Sequence, residues 1–198
     1  MKLLLFAHSA EASSFIKNLG LTPSTFPFSG VYVSPNHAHK VVLLVTGEGM
    51  AATFTHGLAV LSHFGQSGDH SIISEIINMG VAGSLKKDIE IGKIVSIRNV
   101  LHEEDLQTYP ADKNSTCDCI TALNRVTDDD YAKRLALKAS IVDRELWAVA
   151  HMAQIYNIPF RSWKLISDHA GSTTDTASIK KNAARFSEQL FTFFKTLM

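Results

Sequence analysis

Three short stretches place carboxylates where an apolar strand-like run gives way to polar sequence. In "LISDHAG" (residues 165–171) a run from Trp163 to Ile166 ends in Ser167, Asp168 and His169. In "VDRELWAVA" (142–150) three charged residues, Asp143, Arg144 and Glu145, separate a brief strand from an apolar helix. In "HSAEASS" (8–14) Glu11 follows the first apolar run. Acids gathered at one edge of a sheet suit a reaction whose transition state is cationic. Cleavage of a glycosidic bond is such a reaction: it makes an oxocarbenium-like sugar that carboxylates stabilise, one acid activating water while another protonates the leaving group. The protonating acid needs a raised pKa, which an apolar pocket supplies by desolvation; Trp163, Leu165 and Ile166 beside Asp168 are candidates for that setting. A carboxylate near a helix start, such as Glu145, can also accept two hydrogen bonds at once, as a vicinal ribose diol requires.

Each acid has an architectural alternative. Asp143 reads as a helix N-cap, and early acids suit the helix dipole. Asp168 can cap a turn beginning at "DHAGST", and Glu11 can be an ordinary first-turn helix acid. His8 and His169 flank the candidate positions, although a lone histidine is more often structural or solvated. "TGEGM" and "GVAGS" are Gly-rich bends after strands; neither is a P-loop or dinucleotide fingerprint, so by themselves they mean tight turns and close backbone approach.

The elements that must position these residues alternate. Strands are expected at Leu3–Phe6, Val31–Ser34, Lys40–Val45, 75–80, Ile94–Val100, 119–126, 141–143 and 158–168, with "SPNH" turning between the second and third. Helices are expected in the segments before Gly20, from Met50 to Gly65, at 131–139, at 144–157 and through 176–197, the last with Ile179, Ala183, Phe186, Leu190 and Phe194 on its apolar face. Residues 106–118 read as loop. Such alternation predicts an α/β fold, a three-layer α/β/α sandwich with a central mixed, largely parallel sheet, in one domain spanning 1–198. Ligands in such folds collect at the carboxyl ends of strands, where the acids lie.

Composition narrows the partners. The 198 residues carry 45% hydrophobic and 19% charged side chains, a globular balance. Lys plus Arg and Asp plus Glu are equal at 19 each, so the basic footprint needed for nucleic acid is missing. Leu3–Ala7 is too short for a secretory core and nothing approaches membrane-spanning length. Cys117 and Cys119 make no disulfide framework and fall short of a four-ligand zinc site; they read as reduced thiols in a loop. A cytoplasmic protein without metal or membrane partner is expected.

The order of motifs resembles the nucleoside phosphorylase and nucleosidase family, most closely its hydrolytic branch, the 5′-methylthioadenosine/S-adenosylhomocysteine nucleosidases. The matching pieces are "MKLLLFAHSAEA", "VVLLVTGEGMAAT", "IINMGVAGSLKKDIEIGKIV", "IVDRELWAVAHMAQIYNIPF" and "LISDHAG"; 101–141 is covered least and is shorter than in relatives. The resemblance implies a purine nucleoside substrate, no cofactor and a homodimer whose interface involves the helix from Met50 and the chain after Leu101. It implies that Asp168, steadied by Ser167, hydrogen-bonds purine N7 and protonates the departing base. Glu145 would grip the 2′ and 3′ hydroxyls, Glu11 would orient the water, Ala82 and Gly83 would approach base and sugar, and Val126 would line the base pocket.

Three departures stand out. Arg144 replaces the family Met before the ribose Glu. The N-terminal acid cluster is reduced to Glu11, followed by Ala12. Val81 stands where the nucleosidases have Ser. Phosphorylases of the family bring Arg to the first strand–helix loop, and "AHSAEASS" has none, which favours water; Arg98 and Arg144 keep phosphate open. A purine-nucleoside hydrolase is therefore expected, with a phosphate-dependent phosphorylase or a nucleoside-binding member without turnover as alternatives.

Overall fold

The computed structural model describes residues 1–35, 40–65, 73–105 and 107–197. The "SPNH" turn lies partly outside these residues. In chain order the strands are β1 (Lys2–Phe6), β2 (Thr22–Pro23), β3 (Val31–Val33), β4 (Val41–Val45), β5 (Glu75–Ser84), β6 (Ile94–His102), β7 (Tyr109–Pro110), β8 (Cys117–Thr121), β9 (Ile141–Asp143) and β10 (Phe160–His169). The helices are α1 (Ser9–Asn18), α2 (Met50–Gly65), α3 (Asp129–Ala136), α4 (Leu146–Ile155) and α5 (Thr176–Phe194).

β1 from Leu3 onward and the whole of β4 are apolar because both their faces are covered. Leu3, Leu5, Val42 and Leu44 pack with Val60 and Leu61 of α2 and with Val149 and Met152 of α4. Leu4, Phe6, Val41 and Leu43 face the other way, onto Phe15 of α1 and Phe186, Leu190 and Phe194 of α5. Helix pairs α1/α5 and α2/α4 thus flank this part of the sheet, the arrangement the alternation of elements predicts.

The three-layer description does not extend to the rest. β5 pairs with β10, β10 with β6, β6 with β8, β8 with β9, and β9 returns to β5. These five strands close a barrel, from which β1, β4, β3 and β2 continue as an open extension. The sheet is also more evenly mixed than expected: among the described strands five pairings are parallel and five antiparallel. Closure gives each barrel strand a neighbour on both sides, a consequence of long-range pairing to which local periodicity is blind.

Three local expectations change as well. Residues 80–83 are not a bend; β5 runs straight through them. β10 continues past Asp168, with a register shift between Ile166, opposite Ala82, and Asp168, opposite Gly83. Such a bulge re-aims side chains. The expected loop at 106–118 contributes β7 and the start of β8, and both cysteines are buried in β8 rather than in a loop.

β5 has three neighbours. One edge lies along β10. On the other edge β1 pairs from Glu75 to Asn78, and β9, running the opposite way, pairs at Gly83 and Ser84. Residues 79–82 of that edge fall between the two, and the carboxyl ends of β1 and β9 face each other across them. No described helix is long and apolar enough to cross a membrane.

The entry to β3 depends on Gly30. Its φ is +98°, and a Cβ there would stand 2.8 Å from the Val45 carbonyl oxygen, while Val45 N–H donates to Gly30 O. Gly30→Ala meets both a left-handed backbone and an immovable backbone atom. It is expected to lower unfolding free energy by about 1–3 kcal/mol in urea titration; unchanged stability would show that this junction relaxes freely.

Candidate active site

The gap in the β5 edge opens into a cavity of about 150 Å³. Met79 to Gly83 form one wall, Ala7, His8 and Glu11 arrive from the end of β1, and Asp143, Arg144 and Glu145 from the end of β9. Ser167 and Asp168 enter from the bulge in β10, and Val126 from the segment after β8. Glu11, Glu145 and Asp168, separated by more than 150 residues of chain at the extremes, therefore line one cavity together with Ser167, Arg144, Ala82, Gly83 and Val126. Arg98 does not line it; it is exposed on β6 and pairs with Asp118 at 2.5 Å. His169 is not among the lining residues either, whereas His8 is, with its Nδ1 accepting the Ala10 N–H as the N-cap of α1.

Glu11 lies in the first turn of α1, but it is not an ordinary surface acid, since only 8% of it is exposed. Its backbone carbonyl accepts the Ser187 hydroxyl of α5 (2.6 Å), and the same hydroxyl accepts Ser14 N–H (2.9 Å), which fixes α1 against α5. Its carboxyl lies beside Val81 in the unpaired stretch of β5, whose N–H lowers its pKa. A Cβ on Gly80 would sit 3.0 Å from Glu11 Oε2, so glycine is what permits this approach. Burial pushes the Glu11 pKa up to about 8, with Lys164 opposing the rise and Glu145 adding to it.

Lys164 also lines the cavity. It is 2% exposed, on β10, and its Nζ stands 2.8 Å from Asp143 Oδ2. Asp143 also accepts the Thr121 hydroxyl (2.8 Å) and Leu146 N–H (3.0 Å), so it caps α4 and holds a buried cation at once. Asp143 raises the Lys164 pKa despite desolvation. The available signal was a lone lysine inside the apolar run "SWKLIS": a charge in a buried strand requires a partner.

Glu145, at the N-cap of α4, makes no side-chain cap bond. Its Oε1 instead accepts Gly49 N–H at 2.6 Å, which ties it to the "TGEGM" bend. Desolvation and then Asp143 raise its pKa, opposed by that N–H, Lys164 and Arg144. Asp168 accepts the Ser167 hydroxyl at Oδ1 (2.5 Å) and the Thr174 hydroxyl at Oδ2 (2.8 Å). It does not cap a helix; that role belongs to Asp175 for α5. Arg144 and Arg125 both reach Glu48, at 3.2 and 3.5 Å. Glu48 and Arg125 also line the cavity and were not singled out in the sequence. Among the described residues no cluster of three or more His, Cys, Asp or Glu side chains is placed to hold a metal ion.

A profile of the phosphorylase superfamily matches residues 5–133, more than half of the chain. The chain belongs to the phosphorylase superfamily. No curated protein sequence gives a significant match. Among solved structures, a variant of the Helicobacter pylori nucleosidase MTAN with 5′-methylthioadenosine in its active site superposes with a TM-score of 0.81 at 16% identity, covering 98% of this chain and 96% of that one. The native futalosine hydrolase of the same organism gives 0.81 at 17% identity, covering 98% and 95%. The Streptococcus pneumoniae 5′-methylthioadenosine/S-adenosylhomocysteine nucleosidase with a transition-state inhibitor gives 0.81 at 18%, covering 97% and 96%. At these identities the likeness carries the fold, and this superfamily member shares it over nearly its whole length.

The Glu11 environment has a measurable consequence. In the folded chain its carboxyl holds a proton up to about pH 8, whereas the unfolded chain releases it near 4.5. Between those values the folded state binds more protons, so its contribution to stability falls as pH rises and levels off above about 8. Glu11→Gln removes this dependence. The stability difference, wild type minus variant, should decline steadily from pH 5 to pH 8 in urea titrations; a difference independent of pH would overturn the assignment.

Proposed function

We propose that this superfamily member hydrolyses the N-glycosidic bond of a purine nucleoside. The observation that carries the reading is the meeting of Glu11, Glu145 and Asp168 in one cavity beside the buried Lys164–Asp143 pair. Asp168, oriented by Ser167 and Thr174, serves as the acid at purine N7. Glu145 offers the 2′ and 3′ hydroxyls its Oε2 while Gly49 N–H holds Oε1. Glu11 orients the attacking water and must be ionised to take its proton; with a pKa of about 8 it sits close to a working pH, where a general base is most effective. Ala82, Gly83 and Val126 flank base and sugar. Carboxylates facing a developing oxocarbenium ion stabilise it by charge, so the reading requires no metal or organic cofactor. The nucleosidases and futalosine hydrolase that share the fold give the reading its substrate class.

Residues 1–198 act in this reading as one domain in the cytoplasm, which suits two free buried thiols. A homodimer belongs to it too. Phe54 of α2, Trp147 and His151 of α4 and Tyr109 of β7 form a continuous ring cluster, Tyr109 OH bonding His151 Nδ1, and Ile155 beyond them is 54% exposed. Sedimentation at micromolar concentration should return twice the chain mass; a monomer would remove this part.

The phosphorylase alternative keeps one observation in its favour, the Arg144 guanidinium on the cavity wall, whereas Arg98 lies elsewhere. Adenosine and inosine assayed with and without phosphate separate the two: free ribose regardless of phosphate is expected, and ribose 1-phosphate would overturn hydrolysis. Asp168→Asn should reduce turnover by roughly a hundredfold or more if it is the general acid. Full activity in that variant would exclude it from the chemistry.

A further inference from the structure

The cavity contains a charged group for which base protonation, diol binding and water activation have no use. Glu48, on the bend after β4, receives both Arg144 and Arg125, and all three line the cavity that holds the acids. Both guanidiniums approach the same oxygen, Glu48 Oε2, at 3.2 and 3.5 Å. Neither is the short, two-pronged contact that makes an arginine–carboxylate pair strong. The three side chains are 31–42% exposed, so solvent weakens the pairs further. One carboxylate against two guanidiniums leaves a net positive charge. It also leaves donors unspent, among them Arg144 Nε, which is buried and bonds to nothing.

Position matters as much as charge. Arg144 directly precedes Glu145, and its Nη2 lies 3.5 Å from where a Gly49 Cβ would stand, over the residue whose N–H holds Glu145. The guanidinium therefore lies beside the bend that holds Glu145. A bare cation there opposes an oxocarbenium ion; a cation neutralised by the substrate does not. With the base on Asp168 and the diol on Glu145, the arm of a nucleoside still seeking a partner is the one on its 5′ carbon.

We propose that Arg144 and Arg125, with Glu48 as their exchangeable counter-ion, form a subsite for an anionic 5′ substituent, a carboxylate or phosphate carried by the nucleoside. The proposal rests on the nucleoside-hydrolase reading and narrows it, since a neutral alkylthio group would leave the surplus positive charge and Arg144 Nε without a partner. Free phosphate acting as co-substrate is the other source of the same chemistry, and the assay below separates them.

Base release is measured at low ionic strength without phosphate for adenosine, 5′-methylthioadenosine, adenosine 5′-monophosphate and adenosine 5′-carboxylate, and for the matching hypoxanthine ribosides. The anionic members should exceed the neutral ones in kcat/KM by about tenfold or more, as one or two charge-assisted hydrogen bonds allow, and added salt should shrink the gap. Arg144→Met and Arg125→Gln should each collapse the anionic-to-neutral ratio. Because the ratio is taken within one variant, partial loss of folded protein cancels. Equal rates for both classes in the wild type would overturn the subsite and leave hydrolysis standing; so would a preference that survives both substitutions. Base release that requires phosphate, with either substitution raising the KM for phosphate, would assign the arginines to a co-substrate and overturn the 5′ role. If no nucleoside releases its base, hydrolysis fails by itself, and calorimetry decides the subsite: tighter binding of adenosine 5′-monophosphate than adenosine, lost in Arg144→Met, supports it, and equal binding overturns it.

Discussion

Everything in the site follows from the demand made on one edge of β5. That edge is shared between β1, which pairs up to Asn78, and β9, which pairs from Gly83 onward in the opposite direction. Two strands arriving from opposite ends cannot meet without a gap, and the gap exposes backbone donors in the middle of a buried sheet. Buried N–H groups have to be satisfied. Here the Glu11 carboxyl reaches that stretch beside Val81, whose N–H eases its pKa, with Gly80 leaving room for it. The same gap brings the carboxyl ends of β1 and β9 together, so the acids that follow each strand converge for reasons of topology.

Gathering carboxylates in a low-dielectric cavity is costly, and the compensation is visible. Lys164, buried in the cavity wall, lowers the pKa of Glu11 and Glu145 and is itself held by Asp143, which Thr121 and the α4 backbone satisfy in turn. The rise in the Glu11 pKa shows that the compensation is incomplete. A residual mismatch of this kind is unfavourable for folding and useful for proton transfer near neutral pH, and such unequal environments are how carboxyls of one site acquire separate roles. The Arg144–Glu48–Arg125 group follows a different logic. It lies nearer the solvent, its pairs are long, and its charges are left available.

The parts of the site nearest regular elements were legible in the chain. Asp168 stood out because an apolar run ended in it, Glu145 because it opened an apolar helix, and Glu11 because it followed the first strand. The bulge that re-aims Asp168 was not legible, since it is a mismatch of register between β10 and β5. The continuity of β5 through Gly80–Gly83 is not legible because glycines in a strand carry the same local signature as a turn; Gly80 makes room for the Glu11 carboxyl and Gly83 for the close passage of Ala170. Lys164 was hidden in an apolar run, and Glu48 and Arg125 in segments that read as loops.

By itself the sequence determined the alternation of elements, the apolar runs of β1 and β4, the acids at element boundaries and membership of the superfamily, because these are written in local periodicity, residue type and motif order. The tertiary structure alone decided barrel closure, the split edge of β5, the Lys164–Asp143 pair and the meeting of Arg125 with Arg144 at Glu48. Each of these depends on which distant segments share a hydrogen-bonded edge or a buried volume. That choice is made by the whole chain minimising exposed apolar surface and unpaired charge together, and no window of the sequence contains it.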